Sequence, residues 1–441
     1  MPLAAPRVDR SFAILFTVML AIAAGNTALQ SVLPALGRSL HVSDSAVAAA
    51  FSVSALLWVI AAPLWANRSD RYGRRALVLT GMVGFIVSLT LCGVFLMAGI
   101  NGWISGPAAF GAFVAGRVIY GSFGAAAPPA VQAIVAGNTS REDRTRALSL
   151  IGSAFGLGTI LGPAVAPYLV LSTPVLGVEV GLAGPAFFAA AIGIAVTIAV
   201  LYLLPAHDIG DRGAHGAANA YPSIGGQSTG ASITAAVAEP SSERVGFFDA
   251  RIRAWVIVGL VVGHAQAMAG QTIGFLVMDR LALPPTQALE PTGLVLMMGA
   301  GAALLAQWGI IPLFNMTPPK LVRAGLAVAA VGCVVTGTAT SLYGIATGYA
   351  LASLGFGFAR PGFTAGSSLA VGQAAQGSVA GKITSINGAS FVLGPSVGVG
   401  LYELWRPLPY LVAAAALVLL VVYAWLSPSI SARDPAEDPA G

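Results

Sequence analysis

Apolar residues run along this chain in blocks of roughly twenty, far longer than the one-sided stripe of a helix lying on a water-soluble core and about the length that crosses a bilayer. Short polar stretches separate them. The blocks predict helices over 11–33, 44–65, 76–96, 108–136, 147–171, 186–204, 254–278, 293–313, 324–341, 343–371, 382–402 and 408–426. From 205 to 253 the pattern changes to Gly, Ser, Ala and Asn with little bulky apolar content, which reads as a linker, and 428–441 reads as a polar tail. The expected organisation is a six-helix bundle over 1–204, the linker over 205–253, a second six-helix bundle over 254–427, and the tail.

The two halves repeat. Placing Pro63-Leu64-Trp65 over Pro312-Leu313-Phe314 brings Arg74 onto Arg323 without a gap. Gly156-x5-Gly162-Pro163 falls on Gly388-x5-Gly394-Pro395 in the same way. The fold class expected is an all-α membrane protein of about twelve transmembrane helices in two pseudo-symmetric bundles.

Composition narrows the function. With 441 residues, 56% hydrophobic and 9% charged, the chain is excluded from the ordinary soluble classes. Its net charge of +5 is topological and does not point to nucleic acid. Arg68, Arg71, Arg74, Arg75, Arg141, Arg144, Arg146, Arg251, Arg253, Lys320 and Arg323 fall on one side of the predicted spans, Arg38, Arg280 and Arg406 on the other. By the positive-inside rule both termini are expected in the cytoplasm, with the protein in the cell (inner) membrane. The last part of the linker, with Phe247 and Phe248 beside Arg244, Arg251 and Arg253, is expected to lie as an amphipathic segment on the membrane surface. Cys92 and Cys333 sit in apolar stretches as small hydrophobes. No phosphate loop, metal-ligand cluster or hydrolase triad stands out, so neither an enzyme nor a cofactor or metal is expected.

Ala66-Asn-Arg-Ser-Asp-Arg-Tyr-Gly-Arg-Arg75 packs charge between two apolar runs, and reads as a short basic turn. Its order, Asp70-Arg71-x-Gly73-Arg74-Arg75, resembles the signature between the second and third helices of the major facilitator superfamily. Arg117, in Gly116-Arg117-x-x-Tyr120-Gly121, resembles that family's second signature. The ladder Gly152-x3-Gly156-x-Gly158-x3-Gly162-Pro163 resembles its third, associated with antiporters, although Ala166 and Pro167 replace the closing glycines. The resemblance implies alternating access by rocking of the two halves and a likeness to drug:proton antiporters. It gives Asp70, Arg71, Gly73, Arg74, Arg75, Gly158, Gly162, Pro163, Gly394 and Pro395 a part in conformational gating. Functional monomers are common in that fold.

Polar residues inside apolar spans face protein, water or solute and not lipid. Asn26 and Gln30 in the first span, Arg117 in the fourth, His264, Gln266 and Gln271 in the seventh and Arg360 in the tenth are therefore the candidates for substrate binding or coupling. Close packing alone would also account for the glycine ladder, and helix-to-helix hydrogen bonding for the amides. Asp44, Asp70, Glu142, Asp143, Glu179, Asp279, Glu290 and Glu403 all fall outside mid-span, which leaves His264 as the candidate proton carrier by elimination. The leading expectation is a multidrug-exporter-like secondary transporter that exchanges protons for a small organic solute. A dedicated carrier of an organic anion or metabolite, uptake included, is the alternative, and a non-transporting membrane sensor is a third.

Overall fold

The computed structural model describes residues 10–139, 144–171, 173–174, 177–205, 222 and 243–431, without the side chains of residues 69–71, 144–146 and 431. The chain divides into two compact units, Met1–Ser228 with Ala235–Ala238, and Thr229–Thr234 with Glu239–Gly441. Among the described residues, eleven helices are long and apolar enough to cross a membrane. In such a segment only a helix satisfies every backbone donor and acceptor internally.

The first unit contains α1 (Arg10–Ser39), α2 (Asp44–Tyr72), α3 (Arg74–Ile100), α4 (Gly106–Phe123), α5 (Ala127–Gly137), α6 (Arg144–Val165) and α7 (Gly184–Leu203). A 3-10 turn over Gly124–Ala126 joins α4 to α5, where Pro128 and Pro129 occupy the first turn, the place in a helix that tolerates a missing N–H. Pro34 was expected to end the first helix, yet α1 continues through it to Ser39. Arg38 then closes this end, its guanidinium donating to both oxygens of Asp44 at 3.2 and 2.7 Å.

The basic turn is shorter than the sequence implied. Helix α2 runs on to Tyr72 and α3 begins at Arg74, so the break is Gly73 alone. Its φ of +83° and ψ of 136° are open to glycine and strained for other residues, while a Cβ there would touch nothing within 4 Å. Conformation, and not space, fixes the residue. Gly73→Ala is expected to cost about 1–3 kcal/mol and lower the melting temperature of the purified protein; an unchanged melt would show that the break needs no positive φ.

The second unit contains α8 (Arg253–Leu281), α9 (Leu289–Leu304), α10 (Ile311–Phe314), α11 (Pro318–Thr338), α12 (Leu342–Leu369), α13 (Gln373–Leu404), α14 (Leu408–Leu426) and α15 (Pro428–Ser431). A π-turn over Leu305–Ile310 links α9 to α10. Helices α11 and α12 approach backbone to backbone: a Cβ on Gly325 would lie 2.6 Å from the Ala359 nitrogen, and one on Gly348 2.6 Å from the Thr336 nitrogen. Ser341 caps α12 by accepting the Gly344 N–H at 3.2 Å.

The predicted eleventh helix starts at 382, whereas α13 starts at Gln373 and is 32 residues long. Its added turns carry Gln373, Gln376 and Ser378 ahead of Lys382, and this polar first half separates it from the apolar spans. The end of the linker docks there as a strap. The Glu243 N–H donates to the Ala374 carbonyl at 3.2 Å, the Val245 N–H to Ser378 Oγ at 3.1 Å, and Val245 and Ile252 are buried. Lys382 Nζ stands over the Phe247 ring at 5.1 Å, while Phe248 is 93% exposed. Arg251 ties the strap, donating to Glu243 at 2.7 Å and to Asp249 at 2.9 and 3.0 Å.

Those hydrogen bonds from Arg251 hold the Asp249 carboxyl at about 2, below its ordinary 3.8. A lowered acid stabilises above its unfolded value and loses that contribution as pH falls through the folded one. After correction for intrinsic rates, amide exchange at Arg251 is expected to be flat from pH 7 to 4 and to accelerate only towards pH 2. Acceleration already at pH 5 would assign the strap's order to other groups.

Candidate functional site

In the first unit the site is built on Arg117, which α4 carries with 0% of its surface exposed. Its Nη2 donates to Asn26 Oδ1 of α1 at 2.5 Å and to Ser54 Oγ of α2 at 3.2 Å. Ser54 in turn donates to the Arg117 carbonyl at 3.1 Å. The guanidinium carbon lies 4.4 Å from the Tyr120 ring centroid and 5.2 Å from that of Phe51, so aromatic faces carry part of the solvation that water would give. Asn26 also donates through Nδ2 to the Pro222 carbonyl of the linker. Three helices thus meet at one charge.

Helix α1 lies along α6 because α6 presents glycines to it. A Cβ on Gly158 would stand 2.6 Å from the Leu20 carbonyl oxygen, and one on Gly162 2.7 Å from the Ala28 nitrogen. Thr27 Oγ1 lies 3.3 Å from the Gly158 carbonyl. Pro163 follows inside α6. Gln30 is buried on α1 one turn beyond Asn26.

The second unit repeats this contact. Gly162 rests on Ala24, Thr27 and Ala28, and Gly394 rests on His264 and Ala267, with a Cβ there 2.5 Å from that of Ala267. Pairing the two glycines therefore sets Ala24 opposite His264 and Thr27 opposite Ala267. In this register Asn26 falls opposite Gln266. Each unit offers that amide oxygen to a buried arginine: Arg360 of α12 donates through Nη1 to Gln266 Oε1 at 3.1 Å and through Nη2 to Asn387 Oδ1 of α13 at 3.2 Å. Arg360 stands about 7 Å past the middle of α12 by helical rise and is 5% exposed, so its charge is buried and does not snorkel outward.

The remaining candidates are placed individually. His264 Nδ1 lies 2.7 Å from the Leu260 carbonyl and 3.5 Å from Ser390 Oγ. A carbonyl only accepts, so the neutral ring carries its hydrogen on Nδ1 and keeps Nε2 as the acceptor. Gln271 is buried on α8, five residues beyond Gln266. Pro395 lies inside α13. Arg74 is buried and donates to the Ala133 carbonyl at 3.1 Å, and Arg75 donates to the Leu201 carbonyl of α7. Arg323, which the repeat sets opposite Arg74, instead reaches the Ala424 carbonyl of α14 at 3.4 Å and stacks on Trp425 at 4.1 Å. It does in its unit what Arg75 does in the first, tying the third span to the last. The side chains of Asp70 and Arg71 lie outside the described residues.

Sequence reasoning missed Ser54, Phe51, Asn387 and Ser390. Asn387 gave the same signal as Asn26, an amide among apolar residues, but starting its helix at 382 placed it near a membrane edge. Outside the strap, acids bond at helix ends: Asp44 with Arg38, and Asp279 with the Tyr402 hydroxyl at 2.6 Å and Arg406 at 3.3 Å.

Comparison with known proteins agrees with this architecture. The chain is 25% identical over 421 residues to the class E tetracycline resistance protein of Escherichia coli, covering 92% of this chain and 94% of that one. It is 25% identical over 173 residues to multidrug resistance protein 2 of Bacillus subtilis (strain 168), a match that spans only 38% of that relative's length. Among solved structures it resembles a bacterial homolog of the human lysosomal transporter Spinster, in an inward-facing and unoccupied conformation (TM-score 0.68, 13% identity, 97% and 96% covered). It also resembles the human organic anion transporter MFSD10 (TETRAN) (TM-score 0.64, 18% identity, 95% and 100% covered). The model of the Major Facilitator Superfamily matches residues 15–395, and the chain, a multi-pass membrane protein of transporter architecture, belongs to that family.

Proposed function

We propose that this protein is a secondary transporter that moves a small organic solute out of the cell in exchange for protons, by alternating access, from a cell membrane with both termini on the cytoplasmic side. The observation that carries this reading is Arg117, a fully buried charge on α4 that joins α1 and α2 through Asn26 and Ser54. A charge at such a depth is costly and is kept where it binds, couples or gates. The glycine faces of α6 and α13 support the reading, since backbone-to-backbone contacts act as seals that open without melting a helix. The similarity to multidrug and tetracycline resistance proteins supports the outward direction and the organic solute. His264, with Nε2 as acceptor, is the proton carrier in this reading, and Asp70 with its basic neighbours is a conformational latch.

The test is internal pH in inside-out vesicles. Adding the transported solute to acidified vesicles is expected to alkalinise the interior, and Arg117→Ala, shown to be inserted, is expected to reduce the rate at least tenfold. Alkalinisation that is as fast in the variant would remove Arg117 from the mechanism. Silence of the native protein across a panel of organic cations, anions and neutral compounds would overturn proton exchange itself.

A further inference from the structure

The second buried arginine differs from the first in what surrounds it. Arg117 has ring faces at 4.4 and 5.2 Å, whereas Arg360 has Phe391 at 5.8 Å and depends on amide oxygens. Of its five N–H donors, two are used, by Gln266 and Asn387, and Nε is buried with no hydrogen-bond partner. Among the described residues it pairs with no carboxylate. Neutral amides orient a guanidinium without balancing its charge, and an uncompensated buried charge is expensive.

From this geometry we infer that Arg360, Gln266 and Asn387 form an anion-recognition subsite that takes the carboxylate of the transported solute. Gln266 and Asn387, on α8 and α13, hold the guanidinium from two sides and fix the plane of its fork. The Nε–H and the remaining Nη hydrogens then face a planar partner, and a carboxylate matches a guanidinium edge with two parallel bonds. An ammonium would be repelled there, and a neutral amide would gain hydrogen bonds without charge compensation. The solute class is therefore an organic carboxylate, zwitterions included, and not a simple organic cation. This inference rests on the transport reading above and narrows its substrate.

The experiment is a binding measurement, which does not depend on transport. Full-length protein in lipid nanodiscs is titrated calorimetrically with three matched probes: 3-phenylpropionate, 3-phenylpropanamide and 3-phenylpropylammonium. The carboxylate is expected to bind at least tenfold more tightly than the other two. Arg360→Gln is expected to erase that preference, and Arg360→Lys to keep part of it. An equal or reversed preference in the native protein, no carboxylate binding at millimolar concentration, or a preference that survives Arg360→Gln overturns the subsite. Should Arg360→Gln not purify as a monodisperse protein, Asn387→Ala decides: the guanidinium remains but loses its orientation, and the preference is expected to fall at least threefold, while an unchanged preference overturns the assignment. Transport fails separately. A carboxylate that binds through Arg360 but is never moved leaves the subsite standing and defeats the transporter reading, whereas a solute moved with no Arg360-dependent charge preference does the reverse.

Discussion

Gly162→Ala is expected to destabilise the first unit by about 2–3 kcal/mol, while Gly156→Ala, six residues earlier on the same helix, is expected to be neutral or slightly stabilising. The contrast follows from what a new methyl group meets. At Gly162 it would stand 2.7 Å from the Ala28 nitrogen and against Ala24 and Thr27, mostly backbone of α1 that cannot rotate away. The helices would have to separate, and the contact between Thr27 and the Gly158 carbonyl at 3.3 Å would go with them. At Gly156 nothing lies within 4 Å, so alanine brings its better helix propensity at no steric cost. Thermal melts of the two purified variants in one detergent check this. Equal melting temperatures would mean that α1 and α6 do not approach as closely as described.

The second large effect concerns Arg117 and Asn26 taken as a pair. Asn26→Leu removes the 2.5 Å bond to a guanidinium that has no exposed surface, and is expected to cost about 1.5–3 kcal/mol, the range for hydrogen bonds to charged groups. Arg117→Met in that background removes the charge that has lost its amide partner, and stability is expected to recover by at least half, because replacing both partners with apolar groups avoids the desolvation penalty. Transport is expected to be absent in the single and the double variant alike. Recovery of the fold without recovery of transport would separate the structural part of the charge from its working part. Additive losses in the double variant would show instead that the two side chains contribute independently.

The order of the spans, and eleven of the twelve expected, were legible because apolar length is a strong signal and lipid leaves the backbone few alternatives; the predicted eleventh became α13, whose polar first half keeps it out of the apolar set among the described residues. The ends were less so. Pro34 is a helix breaker in water, but in α1 its missing donor is tolerated and five more residues follow it. The stretch from Ala66 to Arg75 has the composition of a loop, and its charges lie mostly on helical backbone with Gly73 as the one break. Arg117, Asn26, Gln266 and Arg360 were found because polar groups are rare in such spans, and the pairing of each arginine with an amide required the fold. Ser54 and Phe51 gave no such signal, since a serine and a phenylalanine in a membrane helix are unremarkable until an arginine is seen between them. The repeat was legible as two motifs, whereas the exchange of partners between Arg75 and Arg323 was not, because a one-residue offset turns a side chain about 100° around the helix.

The π-turn over Leu305–Ile310 has a consequence for anyone reading the second unit from outside. One extra residue in a turn advances everything beyond it by about 100°, so the stripe that faces lipid before Leu305 is out of phase with the stripe after Ile310. A cysteine-scanning accessibility profile across Leu289–Phe314 should therefore show two sinusoids of the same period with a slip between them, located where Leu305 and Trp308 present their exposed side chains. Any alignment of this segment with its counterpart α2 that allows no such slip will assign lipid-facing positions to the interior on one side of the turn.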